Sequence, residues 1–218
     1  MLDQFQHEPF HNLQLIYNTR LQSALPGGTC SDKTLSFVAA ASKAGFDVAL
    51  HTGFICGQEI HRLARVRIGS DLYFADVGNG WPSLRLYPSD RNISFSCFGM
   101  NFRTEVANGR VSVFHKRLGR ESLQLEIDIK SRSEADIRAD IEARFTSGVV
   151  YPFSNSLRFS LVVRESFLFL RGDRLEIYSD KSFELLEEIE ESEVPNVLSE
   201  YFGLDIRLAP QKEQTRSN

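Results

Sequence analysis

Cysteine is scarce in this chain, with Cys30, Cys56 and Cys97 the only three among 218 residues. A set so sparse and odd, with no C-x-x-C spacing, excludes a disulfide framework and a cysteine-based zinc site, and no metal centre is expected. It fits a reducing, cytoplasmic compartment. Basic residues are not in excess: the net charge is −4, which excludes a general electrostatic field for nucleic acid or a membrane surface. No apolar run approaches the ~20 residues that a membrane-spanning helix requires. The opening MLDQFQHEPF has no basic region followed by an apolar one, so no secretory leader is expected. No internal repeat or low-complexity block is found. The polar end APQKEQTRSN, residues 209–218, is expected to be disordered.

What is present is a core. Apolar residues make up 42% of the chain and phenylalanine occurs 17 times, enough for one large domain or a few small lobes with aromatic packing. After Cys30, the residues Leu35, Val38, Ala39 and Ser42 follow a helical spacing, and Gly45 stands where a C′ glycine would stop a helix. From Phe46 to about Ile129 the pattern changes to short β-rich runs separated by turn residues: DVALHTGF, RLARVRI, LYFADV, SFSCFGMNFRTEV, RVSVFHK and LQLEIDI. They predict an antiparallel sheet or barrel over residues 46–130. A charged connecting helix is expected over 131–146. Three further strands, LRFSLVVRE, SFLFLRG and RLEIYS, and a helix from about Ser192 to Phe202 ending at Gly203 are expected in a last unit, 147–208.

The stretch LPGGTCSDKT places Cys30 directly behind two glycines and at a helix start. A buried cysteine can be no more than a small hydrophobe. At a helix N-terminus, however, free N–H groups and the macrodipole stabilise a thiolate.

A partner for such a thiol can be sought in IHRLARVRIGSDLYFADVGNG, residues 60–80. Gly69-Ser70 is an acceptable two-residue hairpin loop. Paired about it, Ile68 faces Asp71, Leu63 faces Asp76 and His61 faces Gly78. His61, Leu63 and Asp76 then share a face, with His61 and Asp76 diagonal neighbours roughly 7–8 Å apart. A slip of one residue would separate them. Cys30 as nucleophile, His61 as base and Asp76 as orienting carboxylate form one chemical constellation among several. A structural histidine on a strand is the alternative. Cys56 has the wrong parity relative to His61, Cys97 lies in a Phe-rich run, and glycines interrupt the register between His51 and His61. His7, His11 and His115 have no carboxylate at a telling spacing. The backbone N–H of Cys30, and that of Gly57 on the strand leading to His61, are candidate oxyanion donors; otherwise Gly57 only permits a bulge.

Taken in order, PGGTC, HRLARV and LYFADVGNG resemble the RGG-x-C, H-x-x-L-x-V and DVG-x-G motifs of the arylamine N-acetyltransferase family. EPFHNL resembles the family's upstream I-P-F-E-N-L. VYPFSNSLRFSLVVR resembles its H-P-x-S-x-F segment, and FLRGDRLEIY and LSEYFGLDI resemble its closing hairpin and helix. The likeness covers nearly the whole chain, to a divergent and N-terminally shortened pattern. Pro26 replaces the Arg before GG, His11 replaces the Glu of P-F-E-N, Asp32-Lys33-Thr34 replace the residues after the cysteine, and Asn79 replaces an aromatic.

The resemblance implies an α+β fold: a papain-like thiol-enzyme core with an N-terminal helical lobe (1–45), an antiparallel β-barrel and an α/β lid. It implies that Cys30, His61 and Asp76 are catalytic and that Phe10, Asn79, Gly80 and Trp81 line the substrate cleft. It implies ping-pong acyl transfer from acetyl-CoA or another acyl thioester, used as co-substrate with no permanently bound cofactor, to an arylamine or hydrazine nitrogen. An amide synthase fed by an acyl carrier protein, a cysteine hydrolase with water as acceptor, and a non-catalytic binding protein are the competing functions. No nucleic-acid or membrane partner is expected.

Overall fold

The computed structural model describes residues 1–16, 25–130, 132–144, 151 and 153–206. The expectations for residues 145–150 and for the polar end at 209–218 lie outside the described residues. The N-terminal part holds helices α1 (Leu2–His7), α2 (Leu13–Ile16) and α3 (Cys30–Lys43) and a short strand β1 (Phe10–His11). Strands β2 (Asp47–Ile55), β3 (Gln58–Ile68), β4 (Asp71–Ala75), β5 (Tyr87–Pro88), β6 (Ser94–Cys97), β7 (Met100–Ala107), β8 (Arg110–Arg117) and β9 (Arg120–Asp128) follow. Helix α4 (Glu134–Ala143) leads to β10 (Arg158–Val163), β11 (Ser166–Arg171), β12 (Arg174–Tyr178), β13 (Phe183–Leu186) and α5 (Val194–Phe202).

The first sheet has eight antiparallel strands in the order β5-β4-β3-β2-β9-β8-β7-β6. It curls strongly, since Tyr87 on β5 and Phe95 on β6, from its two edges, bring their rings to 6.5 Å. Alternation divides its residues between two layers. Leu63, Phe74, Val111, Val113, Leu125 and Ile127 fill the inside of the curl. Leu50, Ala64, Val66 and Ala75 face outward, where Val38 of α3 and Ile137 and Ile141 of α4 cover them. Each large apolar side chain buried in this way stabilises the fold by roughly 1.5–3 kcal/mol. Helix α4 begins where Ser133 caps it, its hydroxyl accepting from the Asp136 N–H at 3.1 Å.

The second sheet has the order β1-β10-β11-β12-β13. Alternate residues of β11 again separate: Leu168 and Leu170 pack under α5 with Leu198 and Phe202, while Phe167 and Phe169 face the first sheet. Helix α5 stops at Gly203, whose φ of 69° is the left-handed conformation of a helix-terminating glycine.

Two features add to the sequence expectation. The helical N-terminal segment also carries β1, which pairs with β10, Phe10 opposite Ser160. The last sheet gains β13, whose FELL residues are largely exposed and carry no alternating signal.

Candidate active site

Strand β1 and the two glycines together place Cys30. The Gly28 N–H donates to the Pro9 carbonyl (3.1 Å) and the His11 N–H to the Gly28 carbonyl (2.9 Å). A Cβ on Gly27, at φ +87°, would lie 2.1 Å from the Pro9 oxygen. The chain can therefore run against β1 and turn into α3 only with glycine there. The N-terminus of α3 is then locked: the N–H and hydroxyl of Thr29 both donate to the Asp32 carboxylate at 2.9 Å. The other Asp32 oxygen accepts from Arg144 beyond α4 at 2.7 Å. The three departing residues that follow Cys30 thus have structural partners. Asp32 caps, Lys33 is buried with its ammonium donating to the Glu8 carbonyl, and the Thr34 hydroxyl donates to the Arg62 carbonyl at 2.9 Å. That last bond fastens the cysteine helix to the histidine strand.

The β3–β4 hairpin has the expected register, with Ile68 opposite Asp71 through Ala64 opposite Ala75. His61 and Asp76 lie just past the end of that ladder, and His61 Nε2 is 2.7 Å from Asp76 Oδ1. With Nε2 engaged by Asp76, Nδ1 is the ring nitrogen left free to face the cavity that His61 and Cys30 both line. The Cys30 Sγ also lies 3.9 Å from the Ile60 carbonyl oxygen. Cys30, His61 and Asp76 are only 5%, 3% and 1% exposed, so their mutual interactions are little screened by water.

Burial alone would raise the Cys30 thiol, but the hydrogen bond and charge of His61 bring it below its ordinary value. Burial alone would lower His61; the Asp76 carboxylate, with Cys30, instead raises it to about 10. Both shifts favour a thiolate–imidazolium pair at neutral pH.

Beyond Asp76 the chain leaves the sheet through Val-Gly-Asn-Gly-Trp-Pro. A Cβ on Gly78 would fall 2.7 Å from the Arg62 carbonyl and 2.9 Å from that of Cys30, so only glycine fits against both elements. Asn79 donates from Nδ2 to Asp76 Oδ2 at 3.0 Å and accepts the Trp81 N–H on Oδ1 at 3.2 Å. Its amide therefore holds the carboxylate and the loop as well as lining the cleft. The Gly80 carbonyl accepts from Ser160 at 2.8 Å, tying the loop to β10.

A cavity of about 200 Å³ opens over the thiol, and its lining includes Phe10, Cys30, His61, Asn79, Gly80 and Trp81. Phe10, Asn79, Gly80 and Trp81 thus share one cavity with the thiol. Phe153, Arg158, Phe169 and Gln124 line it too and were not singled out from the sequence. Phe153 and Arg158 lie within VYPFSNSLRF, and Phe169 alternates with Leu168 and Leu170; those patterns mark strands without telling which face meets the thiol.

The expectation for Gly57 is corrected. It sits with Cys56 in the exposed turn between β2 and β3 and does not line the cavity. The bulge of β2 lies instead between Gly53 and Ile55. Cys97 is partly buried, its thiol donates to the Pro82 carbonyl at 3.0 Å, and burial pushes it up to about 12. His51 is tied to the Asp128 carbonyl at 2.8 Å. His7 does have a carboxylate, Asp3 at 3.1 Å, but the pair is an exposed i,i+4 contact on α1. Buried His11 stacks on Phe159 at 5.8 Å, and burial lowers it to about 4. Among the described residues no cluster could hold a metal ion, and no helix is long and apolar enough to cross a membrane.

The N-acetyltransferase family model matches residues 12–211. No curated protein sequence matches the chain. Among solved structures it is similar to the arylamine N-acetyltransferase of Nocardia farcinica, at 22% identity and TM-score 0.78, over 95% of this chain and 81% of that one. The Mycobacterium marinum arylamine N-acetyltransferase in complex with CoA gives 16% identity, TM-score 0.76 and coverage of 94% and 84%. The Bacillus cereus enzyme, which has a Cys-His-Glu catalytic triad, gives 17% identity, TM-score 0.72 and coverage of 92% and 87%. With a family model spanning residues 12–211 and a fold shared along almost its full length, the chain belongs to the arylamine N-acetyltransferase family.

Proposed function

We propose that this protein moves an acyl group, acetyl in the first instance, from a thioester to an amine nitrogen through an acyl-Cys30 intermediate. The observation that carries this reading is the buried His61–Asp76 pair, 2.7 Å apart, with His61 and Cys30 lining one aromatic cavity. Family membership and the CoA complex of the Mycobacterium marinum relative support acetyl-CoA as donor. The Bacillus cereus relative has a Cys-His-Glu triad, and on this reading Asp76 takes the part of that Glu.

In the first half-reaction the Cys30 thiolate attacks the thioester carbonyl carbon. The tetrahedral oxyanion collapses with cleavage of the carbon–sulfur bond, and His61 gives its proton to the departing thiolate. In the second, an amine attacks acyl-Cys30 while neutral His61 takes its proton, and the Cys30 thiolate leaves to regenerate the ion pair. Asp76 fixes the imidazole and stabilises its charged form in both. The Cys30 N–H, among the helix-start donors without an intrahelical acceptor, is the oxyanion donor.

Intact-protein mass after incubation with acetyl-CoA alone tests the reading. A gain of one acetyl group on Cys30, discharged by an aromatic amine or hydrazine, is expected. Donor consumption without amine would identify a hydrolase. An adduct from a longer thioester or a loaded carrier protein, with none from acetyl-CoA, would identify an amide synthase. No adduct from any thioester would overturn the reading.

Asn79 acts here as a positioning residue. Asn79→Ala removes a hydrogen bond to a charged group, worth about 1.5–3 kcal/mol, and should slow both half-reactions together by roughly 10–100-fold. Stopped-flow measurement of Cys30 acylation and of its discharge checks this. An unchanged acylation rate with altered acceptor use would give Asn79 an acceptor-binding role instead.

A further inference from the structure

The first turn of the cysteine helix holds two negative charges once Cys30 ionises. Asp32 stands two residues after Cys30, and its carboxylate accepts the N–H and the hydroxyl of Thr29, each at 2.9 Å. The N-terminal end of a helix favours negative charge through its free N–H groups and its macrodipole. Asp32 and the Cys30 thiolate both depend on that one end, and a like charge nearby disfavours an anion. A guanidinium from outside the helix neutralises Asp32. Arg144, directly after α4, places Nη2 2.7 Å from Asp32 Oδ1. Pro26 stands where the family pattern has its arginine, so the guanidinium at this helix start comes from a distant part of the chain. The Arg144 carbonyl accepts the Tyr151 hydroxyl at 2.9 Å, and Tyr151 stacks at 5.3 Å on Phe153, which lines the cavity with Cys30. The other titratable groups around this turn are engaged elsewhere: His61 with Asp76, Arg62 and Arg132 with Asp140, and Lys33 with the Glu8 carbonyl. Buried His11, lowered to about 4, is neutral at neutral pH.

We propose that Arg144 is a positioning residue for the nucleophile: by neutralising the Asp32 carboxylate it lets that group cap the cysteine helix without opposing the negative charge of the Cys30 thiolate. The role of Cys30 as nucleophile rests on the acyl-transfer reading above. The two residues divide the work. Asp32 supplies the acceptor that fixes Thr29 and the turn, and Arg144 cancels the charge that this acceptor brings close to the sulfur. The Arg144 and Asp32 side chains are 21% and 33% exposed, so salt weakens the effect without abolishing it.

The pH dependence of Cys30 alkylation by iodoacetamide, read by peptide mapping, tests this without turnover. In R144Q the acid limb should move to higher pH by about half a unit or more, because an unneutralised carboxylate disfavours the thiolate. R144K keeps the charge without the planar fork and should stay nearer to wild type than R144Q. In D32N the amide oxygen still accepts from Thr29 while the negative charge is gone, so the limb should move to lower pH. The double variant D32N/R144Q should lie below R144Q by about half a unit or more. The acid limb of kcat/KM for acetyl transfer should follow the same order. An unmoved limb in R144Q or in D32N would overturn the proposal. So would a double variant with the limb of R144Q, because the loss would then come from missing contacts of the guanidinium and not from an unneutralised charge. If R144Q does not fold, D32N decides alone. If no thioester acylates Cys30, the acyl-transfer reading fails by itself, while the alkylation profiles still decide what Arg144 does.

Discussion

Asp76→Asn should leave the fold intact and lower kcat/KM by on the order of 10³–10⁴, by analogy with serine triads. Two physical losses combine. The negative charge that raises His61 disappears, so the imidazolium is no longer favoured and the Cys30 thiolate loses its counter-ion. The new amide must also satisfy two neighbours that are both donors, His61 Nε2–H and the Asn79 amide nitrogen, with only one oxygen. If Asn79 flips to relieve this, its oxygen abandons the Trp81 N–H. In the wild type, kcat/KM should rise as pH rises through the lowered thiol pKa and fall as His61 deprotonates near about 10. In Asp76→Asn the alkaline limb should move to lower pH. A near-wild-type rate with an unmoved alkaline limb would transfer the orienting role to another group.

The second large effect concerns thiol reactivity. One equivalent of iodoacetamide at neutral pH should modify Cys30 ahead of Cys56 and Cys97, although Cys56 is exposed and Cys30 is buried. His61 beside it lowers the Cys30 thiol, so on the proposed reading its reactivity should fade only as pH drops through the lowered value. Cys97, raised to about 12 and donating to Pro82, should be the slowest. His61→Ala removes the cation and should abolish the preference for Cys30. Peptide mapping reads all three sites at once. Equal labelling of all three at neutral pH would mean that no thiolate–imidazolium pair forms.

The sequence by itself determined the parts whose causes are local. A two-residue turn at Gly69-Ser70 sets the β3–β4 register, and with period-two alternation that is enough to bring His61 to Asp76. The helical spacing after Cys30 and the glycine past its end are likewise short-range signals, and they mark out α3. Only the tertiary structure decided what surrounds the thiol. Strand β1 is two residues long and exists because β10 and Gly28 pair with it, which no local pattern encodes. Gly57 reads as a flexible backbone near His61, yet the turn of its own hairpin carries it into solvent. Asn79 reads as a cleft residue, but its partners Asp76 and Trp81 become visible only when the loop is folded. Arg158 and Arg171 are unremarkable on separate strands. Their opposition, and the Glu176 carboxylate that among the described residues pairs with Arg171 and not with Arg158, arise from the packing of neighbouring strands around one cavity. Charge balance at that site depends on which groups meet in space, and contacts between distant parts of the chain set it.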